Sequence, residues 1–78
     1  MTQNCKQDKR VAMFPGTFDP FTIGHESIVT RALALFDEVV VAVVNNAEKN
    51  SFMSLDDRLN FIRSVYAENP RVRVVAFG

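Results

Sequence analysis

Apolar residues along the chain follow two different spacings, and the changes between them predict where strands and helices lie. Continuous apolar runs at 11–14 and 39–44, and a third stretch at 72–77 interrupted only by Arg73, indicate strands. The run at 39–44 has no polar alternation, which is typical of a strand covered on both faces of a parallel sheet. Between the runs, apolar residues recur every three or four positions from Ile28 to Phe36 and from Leu55 to Tyr66, which predicts two helices.

The predicted order of elements is β, α, β, α, β, and this order points to one fold class. Strands that alternate with helices favour a parallel sheet with right-handed crossovers, so we predict an α/β fold. Three strands and two helices make one half of a Rossmann-like, doubly wound parallel sheet. Ser54 and Asp57 resemble a capping box at the start of the second helix, and Asn69 with Pro70 ends it.

The chain changes from polar to apolar residues at Val11, so we expect two segments. We expect residues 1–10, which are polar, to be a disordered lead-in, and residues 11–78 to form the amino-terminal half of a larger domain. The third strand would lie at an exposed sheet edge, which favours pairing with another strand. A fragment of a larger domain is therefore the expectation.

Composition narrows the class of protein. The chain has 78 residues, nine basic and nine acidic side chains, and a hydrophobic fraction of 47%, which fits one small globular domain. The balanced charge gives no basic footprint for nucleic acid or an anionic membrane, and no apolar run reaches the roughly 18 residues of a membrane span. Cys5 is the only cysteine, so an internal disulfide is impossible and we expect a cytoplasmic location.

Candidate chemistry lies after the first strand, because ligands of doubly wound folds bind at the carboxyl ends of the strands. Gly16 lacks a Cβ where a phosphate chain would approach the backbone, and Thr17 adds a hydroxyl and an amide. Gly24 and His25 open the first helix, whose free amides favour an anion. Turn chemistry at the glycines, and a capping or surface role for His25, are the alternative interpretations.

The spacing of this segment excludes the dinucleotide fingerprint and the P-loop, which need three spaced glycines or a Gly-Lys-Ser/Thr ending. Pro-Gly-Thr-Phe-Asp-Pro at 15–20 followed by Thr-Ile-Gly-His at 22–25 instead resembles the signature of the nucleotidylyltransferase superfamily. Within this superfamily, the motif is similar to that of the bacterial phosphopantetheine adenylyltransferase family. The resemblance extends over residues 11–78.

The resemblance implies the amino-terminal half of a nucleotidylyltransferase domain. It also implies transfer of an adenylyl group from ATP to 4'-phosphopantetheine, giving dephospho-coenzyme A and pyrophosphate, with Mg²⁺ assisting. Members are typically cytoplasmic homohexamers. The family's second half, with an arginine-containing segment and a serine-rich motif that bind the nucleotide, has no counterpart in these 78 residues.

The resemblance also assigns roles to individual residues. Thr17 matches a position that contacts both ATP and the pantetheine phosphate, and Phe18 matches one that contacts ATP through its backbone. His25 matches the residue that stabilises the α-phosphate in the transition state. Lys49 matches a residue of the loop after the second strand that binds the phosphates.

Each of these assignments has a plainer alternative. Without the resemblance, Lys49 is a solvated lysine in a polar loop. Arg58 is expected to form an ion pair with Asp56 or Asp57 rather than to bind a ligand, and Asp19 to fix a turn rather than to bind Mg²⁺. At the level of the whole chain, the alternative to an enzyme is a non-catalytic half-domain that binds phosphate weakly or associates with itself.

Overall fold

The structure, a computed structural model, describes residues 9–45 and 52–77. The segments 1–8 and 46–51, with Cys5 and Lys49, lie outside the described residues, as does most of the predicted lead-in. The predicted order β, α, β, α, β is confirmed, with the elements β1 (Val11–Gly16), α1 (Ile23–Leu35), β2 (Glu38–Val44), α2 (Leu55–Val65) and β3 (Val72–Phe77). Neither helix is long and apolar enough to cross a membrane.

The three strands form one parallel sheet with β2 in the centre. At the middle of the sheet, Val41 of β2 pairs with Phe14 of β1 and with Val74 of β3. Every residue of β2 except Val44 is buried, as the unbroken apolar run predicted. β1 extends through Gly16, which is paired with Val43, so the strand runs past Pro15 rather than ending before it.

Both helices contribute to the same core. Val29 of α1 and Ile62 of α2 are fully buried with Val41, which places the two helices over the same face of β2. A parallel sheet with strand order β1-β2-β3 and right-handed crossovers produces this arrangement. Residues on alternate positions of the strands face the other way, and there Met13 and Phe77 are 62% and 56% exposed.

The amino ends of the strands are joined through Asp37 and Arg71. The backbone of Arg10 donates to the Asp37 carboxylate at 2.9 Å, and the Arg10 carbonyl accepts the Asp37 N–H at 2.7 Å. The Arg71 guanidinium donates to the carbonyls of Asp37 at 3.0 Å, of Phe36 at 2.8 Å and of Leu33. The last turn of α1 has no basic residue of its own, so Arg71 satisfies the free carbonyls at its carboxyl end.

Candidate functional site

The predicted site residues follow β1 and lead into α1. β1 ends at Gly16, residues 17–22 form the connection, and α1 begins at Ile23 with Thr22 as its N-cap. The connection therefore lies at the carboxyl end of a parallel strand, which is the expected position for a ligand in this type of sheet. The structure brings Thr17, Phe18 and His25 into this one region.

The absence of a side chain at Gly16 has a different reason from the predicted one. A Cβ at this position would lie 2.9 Å from the ring of Phe18, closer than packed atoms tolerate. We expected the space beside Gly16 to admit a phosphate chain. That expectation is wrong, because the Phe18 ring fills the space into which a side chain at Gly16 would point. Gly16 is needed so that an aromatic ring can pack against the end of β1.

Phe18 is the centre of an aromatic cluster formed by Phe14, Phe18, Phe21 and His25. The whole residue is 2% exposed, and its ring lies edge-on to Phe14 at 5.0 Å and to His25 at 5.0 Å. Its backbone is left-handed, with φ of 52°, a conformation that costs a non-glycine residue about 1–2 kcal/mol. The ring contacts hold this strained backbone in place.

His25 is attached to the N-terminus of α1 through one ring nitrogen. The Thr22 N–H donates to Nδ1 at 2.9 Å, and the Thr22 hydroxyl lies 3.1 Å from the same atom. The ring also stacks on Phe21, with centroids 5.5 Å apart and an angle of 28° between the planes. Because Nδ1 accepts a hydrogen bond, the neutral imidazole carries its proton on Nε2.

In this geometry His25 can both cap the helix and donate a hydrogen bond to an anion. The residue caps the helix with Nδ1, as the plainer alternative held, and it keeps an Nε2–H donor at the helix N-terminus. That end of a helix carries positive partial charge and free N–H groups. The arrangement is suited to donating a hydrogen bond to an anion such as a phosphate oxygen.

Gly24 has no steric reason within the described part of the chain. A Cβ there would meet the Thr22 hydroxyl oxygen at 3.6 Å, which is ordinary contact. Its backbone has no positive φ, so the conformation does not require glycine. Neither packing nor backbone conformation therefore explains Gly24, whereas packing against Phe18 explains Gly16.

Arg58 does not form the predicted ion pair with Asp56 or Asp57. Its side chain is buried, 2% exposed, and donates to the carbonyls of Thr17 at 2.9 Å and Val44 at 3.2 Å. Helical spacing explains the difference, because Arg58 falls three residues after Leu55 and shares the inward-facing stripe of α2. That position on the apolar stripe was the signal in the sequence that could have identified it.

Asp19 joins the connection after β1 to the segment before α2. Its two carboxylate oxygens accept the backbone N–H groups of Phe52 and Met53, at 2.5 Å and 2.6 Å. Asp19 therefore fixes loop geometry, but between two loops rather than within one turn. Ser54 follows directly and caps α2 by accepting the Asp57 N–H at 3.1 Å.

The described residues contain no cluster of side chains that could hold a magnesium ion without help from a bound phosphate. Mg²⁺ prefers carboxylate and water oxygens in an octahedral arrangement. Both oxygens of Asp19 already accept amide hydrogens, and no group of three or more His, Cys, Asp or Glu side chains within 9–45 and 52–77 could hold a metal. Lys49, the remaining predicted site residue, lies outside the described residues, and its role stays a prediction.

Known proteins resemble the chain both in sequence and in fold. The sequence profile described as cytidylyltransferase-like matches residues 13–78. The chain is 53% identical over 67 residues to the phosphopantetheine adenylyltransferase of Thiobacillus denitrificans, which covers 86% of this chain and 42% of that protein. It is 47% identical over 68 residues to the enzyme of that name from Bacteroides thetaiotaomicron, covering 87% of this chain and 45% of that protein.

A solved structure agrees on the fold. The NadR protein, crystallised in complex with NAD and AMP-PNP, superimposes with a TM-score of 0.80 at 21% identity, over 88% of this chain and 20% of that chain. The prediction of a Rossmann-like half-domain is confirmed, and so is the resemblance to nucleotidylyltransferases. The chain spans less than half the length of the curated relatives it matches.

Proposed function

The chain belongs to the cytidylyltransferase-like family, and on that premise we propose that the complete protein transfers an adenylyl group from ATP to 4'-phosphopantetheine. The products are dephospho-coenzyme A and pyrophosphate. Relatives named phosphopantetheine adenylyltransferase, 47% and 53% identical to this chain, support the choice of substrate. The observation that carries the proposal is the His25 ring, anchored through Nδ1 at the start of α1 with an Nε2–H free to donate.

The reaction is a displacement at phosphorus. An oxygen of the 4'-phosphate of phosphopantetheine attacks the α-phosphorus of ATP and forms a new phosphoanhydride bond. The bond between the α-phosphorus and the bridging oxygen breaks, and pyrophosphate leaves with the electron pair. Because the attacking phosphate is already a nucleophile, the protein contributes position and charge stabilisation rather than a general base.

His25 suits the demand of this step. Negative charge develops on the α-phosphate oxygens as the new bond forms, and a donor held in advance stabilises it most effectively. The Thr22 N–H and the Phe21 ring hold the imidazole in one orientation, so its Nε2–H is already aimed before the substrate arrives. Removing one such donor costs about 10²–10³ in turnover.

Three further residues complete the proposed site. Thr17 contacts both substrates at the exposed start of the connection, and Phe18 contacts ATP through its backbone. Lys49 binds the phosphates with its ammonium group. Mg²⁺, which the resemblance implies, would be held by phosphate oxygens and water, since the described carboxylates offer no site for it.

Pyrophosphate release tests the proposal. The complete protein that the gene encodes is mixed with ATP and 4'-phosphopantetheine, and dephospho-coenzyme A is identified by mass spectrometry. Parallel reactions replace ATP by CTP, or 4'-phosphopantetheine by nicotinamide mononucleotide, because other nucleotidylyltransferases use such substrates. We expect product only from ATP with 4'-phosphopantetheine; product from another pair alone would overturn the proposed substrates.

The alternative is a half-domain that binds phosphate weakly or associates with itself. The exposed apolar side chains of the open sheet face, with Met13 62% and Phe77 56% exposed, favour association. Sedimentation of the 78-residue chain separates the alternatives: self-association without pyrophosphate release supports the half-domain, whereas turnover by this chain excludes it.

A further inference from the structure

The guanidinium of Arg58 holds the peptide group between Thr17 and Phe18. Its Nη1 donates to the Thr17 carbonyl at 2.9 Å and to the Val44 carbonyl at 3.2 Å. Thr17 follows β1 and Val44 ends β2, so one buried side chain links the carboxyl ends of two neighbouring strands. Its Nε also donates to the Ser54 carbonyl at 3.4 Å, so two nitrogens fix the plane of the guanidinium, a geometry that a lysine ammonium does not reproduce.

The orientation of that peptide decides where the Phe18 N–H points. The Thr17–Phe18 peptide is trans, because the cis peptide of the described chain is Asp19–Pro20. In a planar trans peptide the carbonyl and the N–H point in opposite directions. Since the Thr17 carbonyl is turned inward to Arg58, the Phe18 N–H is turned away from it.

The Phe18 N–H has no hydrogen-bond partner within residues 9–45 and 52–77. Backbone donors of buried residues are almost always paired with protein, water or ligand. The left-handed φ of 52° at Phe18 shows that this peptide is held in an uncommon conformation. An uncommon backbone with a free donor is a frequent feature of ligand sites.

The electrostatics of the helix end do not favour an arginine at this position, whose local side-chain contact is the Nε bond to Ser54. Arg58 lies near the N-terminus of α2, where positive partial charge disfavours a cation. Arg71, by contrast, gathers carbonyls at the carboxyl end of α1, where a cation is favoured. The role of Arg58 is therefore to orient the peptide groups whose carbonyls it binds, those of Thr17 and Val44.

We propose that Arg58 is a positioning residue of the phosphate site: by holding the Thr17 carbonyl, it directs the Phe18 N–H outward to donate to a phosphate oxygen of the nucleotide. The inference rests on the proposed function for the identity of the nucleotide. It does not rest on it for the phosphate itself, so inorganic pyrophosphate serves as an independent probe. Arg58 itself touches no substrate in this proposal.

The test compares Arg58→Met and Arg58→Lys with Arg71→Met in the complete protein. Arg71→Met is the matched control, because it also removes an arginine that binds backbone carbonyls, but at the opposite end of the sheet. Titration with pyrophosphate is followed by the ¹H–¹⁵N signal of the Phe18 amide, and ATP kinetics give KM and kcat separately. Thermal unfolding reports the stability of each variant.

We expect pyrophosphate to shift the Phe18 amide signal of the wild type, and Arg58→Met to weaken pyrophosphate binding and raise KM for ATP about tenfold, the loss of one directed hydrogen bond. Because the contact exists before the reaction as well as during it, kcat should change less than KM. Arg58→Lys keeps the charge but not the two-carbonyl geometry and should show a smaller loss. Arg71→Met should lower the unfolding temperature and leave pyrophosphate binding and KM within twofold of wild type.

The outcomes separate the two proposals. A wild type that shifts the Phe18 signal with pyrophosphate but forms no dephospho-coenzyme A overturns the proposed function and leaves the role of Arg58 standing. Normal KM and pyrophosphate binding in Arg58→Met overturn the positioning role while the function stands. If Arg58→Met does not fold, Arg58→Lys decides, and wild-type values of both quantities in that variant overturn the inference. No shift of the Phe18 amide in the wild type overturns it directly.

Discussion

The two ends of the sheet each gather backbone carbonyls around an arginine, yet they differ in what remains unsatisfied. At the amino end, exposed Arg71 satisfies carbonyls that α1 leaves free, and Asp37 pairs with the Arg10 backbone. At the carboxyl end, buried Arg58 holds a strained loop, and neither the Phe18 N–H nor the His25 Nε2 has a hydrogen-bond partner within residues 9–45 and 52–77. Stability accounts for the contacts at the amino end, whereas at the carboxyl end it leaves the unpaired donors of Phe18 and His25 without an explanation.

Substitutions at the two ends of the sheet should therefore have different effects. Changes at the amino end should alter the free energy of unfolding and leave turnover of the folded protein unchanged. Changes at the carboxyl end should alter turnover or ligand affinity more than stability, except where a residue also fills the core.

The largest effect is expected for His25. His25→Ala should lower turnover about 10²–10³-fold, because it removes the donor that faces the developing phosphate charge. His25→Asn is the matched control, since its side-chain oxygen can still accept the Thr22 N–H and cap the helix. We expect kcat to fall in both variants and the unfolding temperature to fall mainly in His25→Ala; turnover restored by asparagine would reduce His25 to a capping residue.

Gly16→Ala tests the packing at the end of β1. The added methyl group would lie 2.9 Å from the Phe18 ring, and overpacking of this kind costs about 1–3 kcal/mol of unfolding free energy. A double variant with Phe18→Leu should cost less than the two single changes added together, because the smaller side chain relieves the clash. Chemical denaturation of the four proteins measures the coupling, and strictly additive losses would contradict the contact.

Arg71→Met tests the amino end. Loss of the hydrogen bonds to α1 and Asp37 should lower the free energy of unfolding by about 1–2 kcal/mol. The control is Arg63→Met, which removes an exposed arginine that donates to one carbonyl, that of Val74 at 3.2 Å. We expect a smaller loss of unfolding free energy in the control and an unchanged kcat in both variants. A fall in kcat for Arg71→Met would show that the amino end of the sheet also affects activity.

Gly24→Ala separates turn chemistry from ligand approach. Alanine favours helix over glycine by up to about 1 kcal/mol, and the new methyl group meets only ordinary contact with Thr22. We expect equal or higher stability by thermal unfolding, together with a raised KM for ATP, because the methyl group stands where phosphate approaches the helix N-terminus. An unchanged KM would assign Gly24 to the fold alone.

The smallest effect is expected at Tyr66, whose ring edge meets Phe21 at 6.0 Å. Its hydroxyl is inaccessible and finds no hydrogen-bond partner among the described residues, so Tyr66→Phe should change stability at pH 7 by less than about 1 kcal/mol. Burial, and secondarily the charge of Glu26, raises the pKa of Tyr66 above its usual 10.0.

The pH dependence of this substitution has a definite sign. The folded state binds the phenolic proton more tightly than the unfolded state does, so this contribution is fully present below pH 10.0 and is lost as pH rises through the folded-state pKa. Denaturation curves above pH 10 should therefore show a steeper loss of stability in the wild type than in Tyr66→Phe. Parallel curves for the two proteins would contradict the raised pKa.

Much of the fold was predictable from local pattern. The unbroken apolar run of β2 indicated the central strand, and residues 38–43 are indeed buried, although both helices lie over one face of it. The spacing of Leu59 and Ile62 indicated the buried stripe of α2, and Ser54 its start. The motif at residues 15–25 indicated the family and the position of the site, since a carboxyl-end loop entering a helix binds anions through its backbone.

The order of elements, the family and the choice of His25 as the candidate donor thus follow from the residues along the chain. Only the tertiary structure showed that Gly16 makes room for Phe18, that Asp19 ties two loops together, and that Arg58 binds carbonyls instead of its neighbouring carboxylates. The physical reason is sequence distance: Arg58 lies 41 residues from Thr17, and Asp19 lies 33 residues from Phe52. Periodicity specifies which face a side chain occupies, but the partner it meets there depends on how the strands bring distant loops together.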